Sequence, residues 1–270
     1  MTRQQVVAIM QQMGLAPNKR YGQNFLIDTS VVHRIIQAAS CRGVSVLEIG
    51  PGLGSLTELL VEEASSVVAV EIDAGFCRYL GERFGGRITL LHEDFLKIDP
   101  PQTECVVANL PYYCSSEIIF TIAQRSSAAS AVVMVQREMA QRLLAKSSSD
   151  SYGAPAVSLW LDMHCEILFD IPAGSFFPPP EVVSSVIRLT RVSRDIPQSV
   201  RDTFHLIVRA GFWARRKQFY ACLTKSPFVT IDKERAAALI EHLGRDARVR
   251  AEELSPEEFL SASFFLNGKK

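Results

Sequence analysis

No apolar run in these 270 residues approaches the roughly 20 that a membrane span requires, which excludes a helical membrane protein. Residues 1–14 mix polar and apolar side chains and lack the long apolar stretch of a secretory signal. Cysteine is sparse: the six stand at positions 41, 77, 105, 114, 165 and 222, never as CxxC and never beside a histidine cluster. Neither a disulfide framework nor a metal site is expected, and a reducing cytoplasm suits such a chain. Internal repeats and long low-complexity segments are absent, which excludes a solenoid or a disordered linker protein. Net charge is also lacking, with 29 Lys and Arg against 29 Asp and Glu. That balance argues against a polyanionic partner only until it is divided. Residues 193–270 hold 14 basic and 10 acidic side chains, and residues 1–192 hold 15 and 19. Within 201–225 there are six Lys and Arg against Asp202 alone. Such asymmetry fits polyanion binding and equally fits a solvated helix face.

What is present is an ordinary globular composition, 47% hydrophobic and 21% charged, long enough for one large domain and a smaller one. Between residues 28 and 145 short apolar runs alternate with amphipathic stretches. The pattern predicts strands at 45–49, 66–72, 88–92, 104–109 and 131–136, with helices at 54–63, 74–84, 116–126 and 137–145. The runs at 46–49 and 67–72 are almost continuously apolar, as in strands covered on both faces. Repeated β-α-β units of this kind specify a parallel sheet with helices on both sides. A further helix is predicted at 155–161, and strands at 166–170 and 182–189, with Pro178-Pro179-Pro180 as a stiff connector. Residues 1–14 read as a helix capped by Thr2 and ended by Gly14. From about residue 193 the texture turns helical, with helices predicted at 200–223 and 233–243. The expected division is therefore 1–192 as an α/β domain and 193–270 as an all-α domain.

Three strand ends carry chemistry. The first runs Leu47-Glu48-Ile49-Gly50-Pro51-Gly52-Leu53-Gly54 into a helix. Glycines at such a turn let the backbone approach a ligand, and the helix start favours negative charge. The third glycine comes one residue too early for the G-x-G-x-x-G dinucleotide fingerprint. Twenty-one residues beyond Gly50, Glu71 ends the next strand, where a carboxylate can accept both ribose hydroxyls. Asp94, beside Phe95 after the third strand, suits an adenine whose exocyclic amine needs an acceptor. Together they point to a nucleoside ligand at the carboxyl edge of the sheet, and taken alone they leave a nicotinamide oxidoreductase open.

The fourth strand ends in Asn109-Leu110-Pro111-Tyr112. An aromatic amine is a poor nucleophile because its lone pair is delocalised into the ring. Two fixed acceptors that hold its hydrogens stabilise the positive charge that develops on alkylation. The Asn109 side-chain carbonyl and the Leu110 main-chain carbonyl can form that pair, with Pro111 stiffening the turn and Tyr112 offering a stacking face. The competing reading is a plain strand-ending turn, since Asn and Pro are turn residues.

Lys19-Arg20-Tyr21-Gly22-Gln23-Asn24-Phe25-Leu26, the glycine loop at 48–54, Asn109-Leu110-Pro111-Tyr112, Tyr152-Gly153, Phe176-Phe177-Pro178-Pro179-Pro180 and Arg215-Arg216-Lys217 occur in this order. The chain thus resembles the ribosomal RNA adenine dimethyltransferases of the KsgA type, which modify two adjacent adenines of small-subunit ribosomal RNA. The resemblance implies a Rossmann-like methyltransferase domain with a mostly parallel seven-stranded sheet, S-adenosylmethionine as methyl donor, no metal, and a C-terminal domain that binds RNA. It implies that Asn24, Leu26, Gly50, Glu71, Asp94 and Asn109 hold the cofactor. Asn109, Leu110, Pro111 and Tyr112 would form the catalytic motif, and Tyr112 and Phe176 would stack on the base. Arg215, Arg216 and Lys217 would contact RNA in a pre-ribosomal particle, with no membrane and no obligate protein partner.

Two departures from the family pattern are visible: Val182-Val183-Ser184 where Val-Asp-Ser is usual, and Gln218-Phe219-Tyr220-Ala221 where Thr-Leu-Arg-Asn is usual. Neither is expected to touch the methyl-transfer residues. The alternatives are a large-subunit adenine methyltransferase of the macrolide-resistance type and a ribosome-assembly factor in which methylation is secondary. The oxidoreductase leaves Asn24, the Asn109 motif and the basic segment unexplained.

Overall fold

The computed structural model describes residues 1–14 and 23–268. Lys19, Arg20, Tyr21 and Gly22 of the family-like segment lie outside the described residues. In chain order the elements are α1 (Arg3–Gln12), β1 (Phe25–Leu26), α2 (Thr29–Ala39), β2 (Ser45–Ile49), α3 (Thr57–Glu63), β3 (Ser66–Glu71), α4 (Ala74–Phe84), β4 (Thr89–His92), β5 (Cys105–Asn109), α5 (Ser115–Arg125), β6 (Ser130–Gln136), α6 (Arg137–Leu143), α7 (Ala154–Trp160), β7 (Met163–Ile171), β8 (Phe176–Phe177), β9 (Ser184–Arg191), α8 (Gln198–Phe212), α9 (Phe219–Lys225), α10 (Lys233–His242) and α11 (Pro256–Leu266).

Seven strands form one sheet in the order β4-β3-β2-β5-β6-β9-β7, and β1 pairs with β8 separately. β4, β3, β2, β5 and β6 are parallel, while β9 runs antiparallel between β6 and β7. The chain builds outward from β2 in one direction and then restarts at β5 on its other side. The carboxyl ends of β2 and β5 thus flank the switch point where open α/β sheets bind ligands. Val46, Leu47, Val106, Val107 and Val132 are essentially inaccessible, which accounts for the unbroken apolar runs in the sequence.

Local signals set many of the helix ends. Thr2 and Gln5 form a reciprocal capping box on α1. Asp73 accepts from Gly75 and Phe76 at the start of α4, and Gly85 ends it with φ +53°. α2, to which the sequence pattern assigned no element, begins at Asp28, whose carboxylate accepts from Ser30 and Val31. α3 starts three residues later than predicted, because the chain turns through Gly52 and Gly54 with φ +57° and +80° before it can become helical.

The chain divides into two compact units, one of residues 1–140 with 163–191 and the other of 141–162 with 192–270. The expected division was 1–192 and 193–270; here the later crossing falls between Arg191 and Val192, and 141–162 groups with the helical unit. Its Tyr152, Val157 and Leu161 are buried in the same core as Phe204, Phe219 and Phe259. The Tyr152 hydroxyl donates to the Leu254 carbonyl at 2.8 Å. The single helix predicted over 200–223 is two, α8 and α9. Phe219 donates its N–H to Val249 at 2.8 Å and Gln218 bridges to Arg250, so this backbone is satisfied by a distant segment. Gly211 makes the corner possible, since a Cβ there would lie 3.0 Å from the Phe219 ring.

Candidate active site

The switch point opens into a cavity of about 270 Å³ within the first unit. Its lining includes Asn24, Gly50, Glu71, Asp94 and all four residues of the Asn109 motif. Separate strand ends deliver these side chains to one place. β3 brings Glu71, which is 5% exposed; its Oε2 accepts from Gly52 at 3.0 Å and its Oε1 from Asp73 at 2.9 Å. Each of those oxygens keeps a second lone pair for a ligand hydroxyl. Burial pushes the Glu71 carboxyl above the usual carboxylate range, and the two N–H donors oppose that shift. Asp94 accepts from Leu96 at 3.1 Å and pairs with Lys97 at 3.3 Å.

β5 brings the reactive edge. The Asn109 side-chain N–H donates to the Asn24 carbonyl at 2.9 Å, and the Leu110 N–H donates to Met134 at 3.1 Å. Among the described residues nothing donates to Asn109 Oδ1 or to the Leu110 carbonyl, so two neighbouring acceptors are left for a ligand. The Tyr112 hydroxyl is hydrogen-bonded to Ser184 Oγ at 2.7 Å, and Ser184 is fully buried. Ser184, which this chain shares with the usual Val-Asp-Ser pattern, thus holds the Tyr112 hydroxyl, and the departure itself lies at Val183.

Two expected residues are not brought to the cavity. Leu26 and Phe176 are each 2% exposed and pack in the core under the sheet. One cause accounts for both. β1 pairs with β8 in the register Phe25 with Phe177 and Leu26 with Phe176. Paired residues share a face and neighbours alternate, so Leu26 and Phe176 go together into the core while Phe25 lines the cavity. Arg215, Arg216 and Lys217, expected on a helix, stand instead in the turn between α8 and α9. Arg215 is engaged with Glu252 at 3.2 Å and with the Asp150 carbonyl, whereas Arg216 and Lys217 are exposed.

The motifs also passed over several lining residues. Phe25 packs edge-on against Phe76 at 5.6 Å, forming an apolar wall. Ile72 and Tyr113 are 39% and 63% exposed at the rim, and Glu93 and Glu117 add carboxylates. With Glu71 and Asp94 that makes four acids, and no described Lys, Arg or His lines the cavity. Its field favours a cationic ligand. An apolar residue after a strand-end acid was the available sequence signal for Ile72; Tyr113 and Glu117 carried none.

Beneath the loop, Glu48 is 1% exposed and accepts from the Thr57 hydroxyl at 2.6 Å. Burial raises its carboxyl to about 8; the Thr57 hydrogen bond opposes this and the Glu71 charge adds to it. A raised native pKa means that the folded state holds this proton more tightly than the unfolded chain. The corresponding stability is complete below 4.5 and is lost as pH rises through about 8, at about 1.4 kcal/mol per unit at most. Glu48→Gln keeps an acceptor for Thr57 and removes the titration. Denaturant melts at about pH 6 and about pH 8 should therefore show a smaller loss in the variant than in the parent chain. Equal losses would mean that Glu48 does not titrate in this window.

Residues 14–267 match the family model described as ribosomal RNA adenine dimethylase. The chain belongs to that family. It is an S-adenosylmethionine-dependent ribosomal RNA adenine dimethyltransferase. A protein named ribosomal RNA small subunit methyltransferase A from Lachnoclostridium phytofermentans is 36% identical over 98% of this chain and 97% of its own length. One of the same name from Synechococcus sp. is 38% identical over 93% of each. Among solved structures, a dimethyladenosine transferase from Plasmodium falciparum superposes with TM-score 0.78 at 25% identity, covering 91% of this chain and 98% of the other. The 23S rRNA methyltransferase ErmE superposes with TM-score 0.68 at 26% identity, over 90% and 100%. Among the described residues, no helix of this family member is long and apolar enough to cross a membrane.

Proposed function

We propose that this enzyme dimethylates the exocyclic amines of two adjacent adenosines in small-subunit ribosomal RNA within a pre-ribosomal particle, in the cytoplasm. The observation that carries the chemistry is the pair of open acceptors, Asn109 Oδ1 and the Leu110 carbonyl, beside an acid-lined nucleoside cavity. When bound, S-adenosylmethionine supplies a methyl group on a cationic sulfonium. The residues present fit it: Glu71 retains acceptor sites for ribose hydroxyls, Asp94 for an adenine amine, and Asn24, Gly50 and Asn109 line the remainder, with acidic walls suited to its charge.

The protein's own work is positioning and electrostatics. Asn109 is oriented by its donation to Asn24, which leaves Oδ1 as the free end of the amide. That oxygen and the Leu110 carbonyl would accept the two hydrogens of the adenine amine, so positive charge on nitrogen is stabilised as the N–C bond forms and the donor's methyl–sulfur bond breaks, its electron pair staying with sulfur. The proton then passes to water, because a cationic amine releases it without a strong base. Tyr112, its ring held through Ser184, supplies the stacking face that an extruded base needs. The second methylation uses the same pair, with one hydrogen on one acceptor. Arg216 and Lys217 supply phosphate contacts that orient the RNA without reading its sequence, and Arg215 braces their turn.

Full-length likeness to small-subunit enzymes favours that address over the large subunit. Mass spectrometry of both ribosomal RNAs from cells lacking this protein tests it. Loss of dimethyladenine from small-subunit RNA alone is the expected result. Loss confined to large-subunit RNA would favour the macrolide-resistance type, and unchanged RNAs would overturn the enzymatic reading. Normal ribosome maturation supported by a transfer-dead variant would separate an assembly role from methylation.

A further inference from the structure

The second unit exposes three large apolar side chains close together in sequence: Leu206, Trp213 and Phe228, at 38%, 50% and 37% exposure. Leu206, Arg209 and Trp213 follow i, i+3, i+7 spacing on α8, whose helical backbone continues through Trp213. They therefore stand on one helix face. The Arg209 guanidinium lies over the Phe228 ring, 4.4 Å from its centroid, which joins Phe228 to that face. Residues 206–228 also contain Arg215, Arg216, Lys217 and Lys225 and no Asp or Glu. Arg215 is engaged with Glu252. Arg209, Arg216, Lys217 and Lys225 form no ion pair with any described residue.

Flat π surfaces, a guanidinium stacked on one of them, and unpaired cations without an intervening acid complement a chain of planar bases joined by phosphates. Single-stranded nucleic acid is bound in this way, with base stacking and backbone charge acting together. A fully paired duplex offers only the phosphates. We infer that Trp213, Arg209 and Phe228 form a stacking platform for unpaired nucleotides of the RNA substrate, flanked by Arg216, Lys217 and Lys225 as phosphate contacts. This rests on the reading of the chain as a ribosomal RNA enzyme and adds a base-contacting site remote in sequence from the cavity motifs.

Trp213 reports on its own occupancy. The other tryptophan, Trp160, lies 4.0 Å beneath the Arg194 guanidinium. Trp160→Phe preserves a ring for Arg194 and leaves Trp213 as the sole indole of the full-length chain. Titration with a short single-stranded oligoadenylate should quench its fluorescence saturably, while a blunt, fully paired duplex of equal phosphate count should not. Trp213→Ala, in the parent chain, should weaken oligoadenylate binding about tenfold by anisotropy, and Trp213→Phe should restore most of it. A thermal melt confirms that each variant is folded.

Equal quenching by the duplex would reduce the surface to a phosphate binder and overturn the platform. So would oligoadenylate binding without quenching, or quenching produced instead by anionic lipid vesicles. These outcomes are separable from failure of the enzymatic reading, which is decided by the dimethyladenine content of ribosomal RNA. A chain that methylates normally and shows no quenching loses the platform and keeps its activity.

Discussion

Asn109→Ala lowers methyl transfer by at least about a hundredfold while leaving cofactor binding measurable. In the proposed mechanism the side-chain oxygen is one of two acceptors for the amine, and a preorganised group aimed at developing charge contributes on that scale. The substitution also removes the donor to the Asn24 carbonyl, so some loosening of cofactor affinity accompanies it. The decisive measurement is single-turnover methylation of small-subunit particles, with calorimetric titration of the cofactor in parallel. Turnover within a few fold of the parent enzyme would remove the two-acceptor mechanism. Loss of transfer together with complete loss of cofactor binding would assign Asn109 to the cofactor alone.

Gly54→Ala destabilises the first unit on the order of 3 kcal/mol. Gly54 has φ +80°, which costs an L-residue about 1–2 kcal/mol. A Cβ at this position would stand 2.7 Å from Phe84 Cε2 and 3.3 Å from a Leu80 methyl. Both neighbours are buried core residues of α4, and overpacking of this kind adds about 1–3 kcal/mol. The expected reading is a melting temperature lowered by roughly 10 °C. A change within a degree or two would show that the loop and α4 separate at little cost.

The legible parts of this protein are those in which a few consecutive residues carry the whole instruction. α4 was placed to the residue because Asp73 and Gly85 terminate it by side-chain capping and by a positive φ, both local effects. The sheet was legible because β2, β3, β5 and β6 are covered on both faces and so show nearly uninterrupted apolar runs. The cavity followed from three strand ends whose residue types make sense only together, and the structure assembles Gly50, Glu71, Asp94 and Asn109 around it. Shorter and more conditional signals failed. α2 begins at an Asx cap within an unpunctuated stretch, and β1 and β8 have only two residues each, too short for a period to register.

The sequence by itself determined that a glycine turn, a strand-end acid and an Asn-Leu-Pro-Tyr segment would meet at the carboxyl edge of a parallel sheet, and with them the chemistry. Backbone dihedrals, capping and short β-α-β connections act within a few residues, so they are written locally. Only the tertiary structure decided that Leu26 and Phe176 turn into the core, because that depends on the register of two strands about 150 residues apart. It alone drew residues 141–162 into the helical unit and broke the predicted helix before Phe219. In each case a distant partner, Leu254 for Tyr152 and Val249 for Phe219, satisfies a buried polar group.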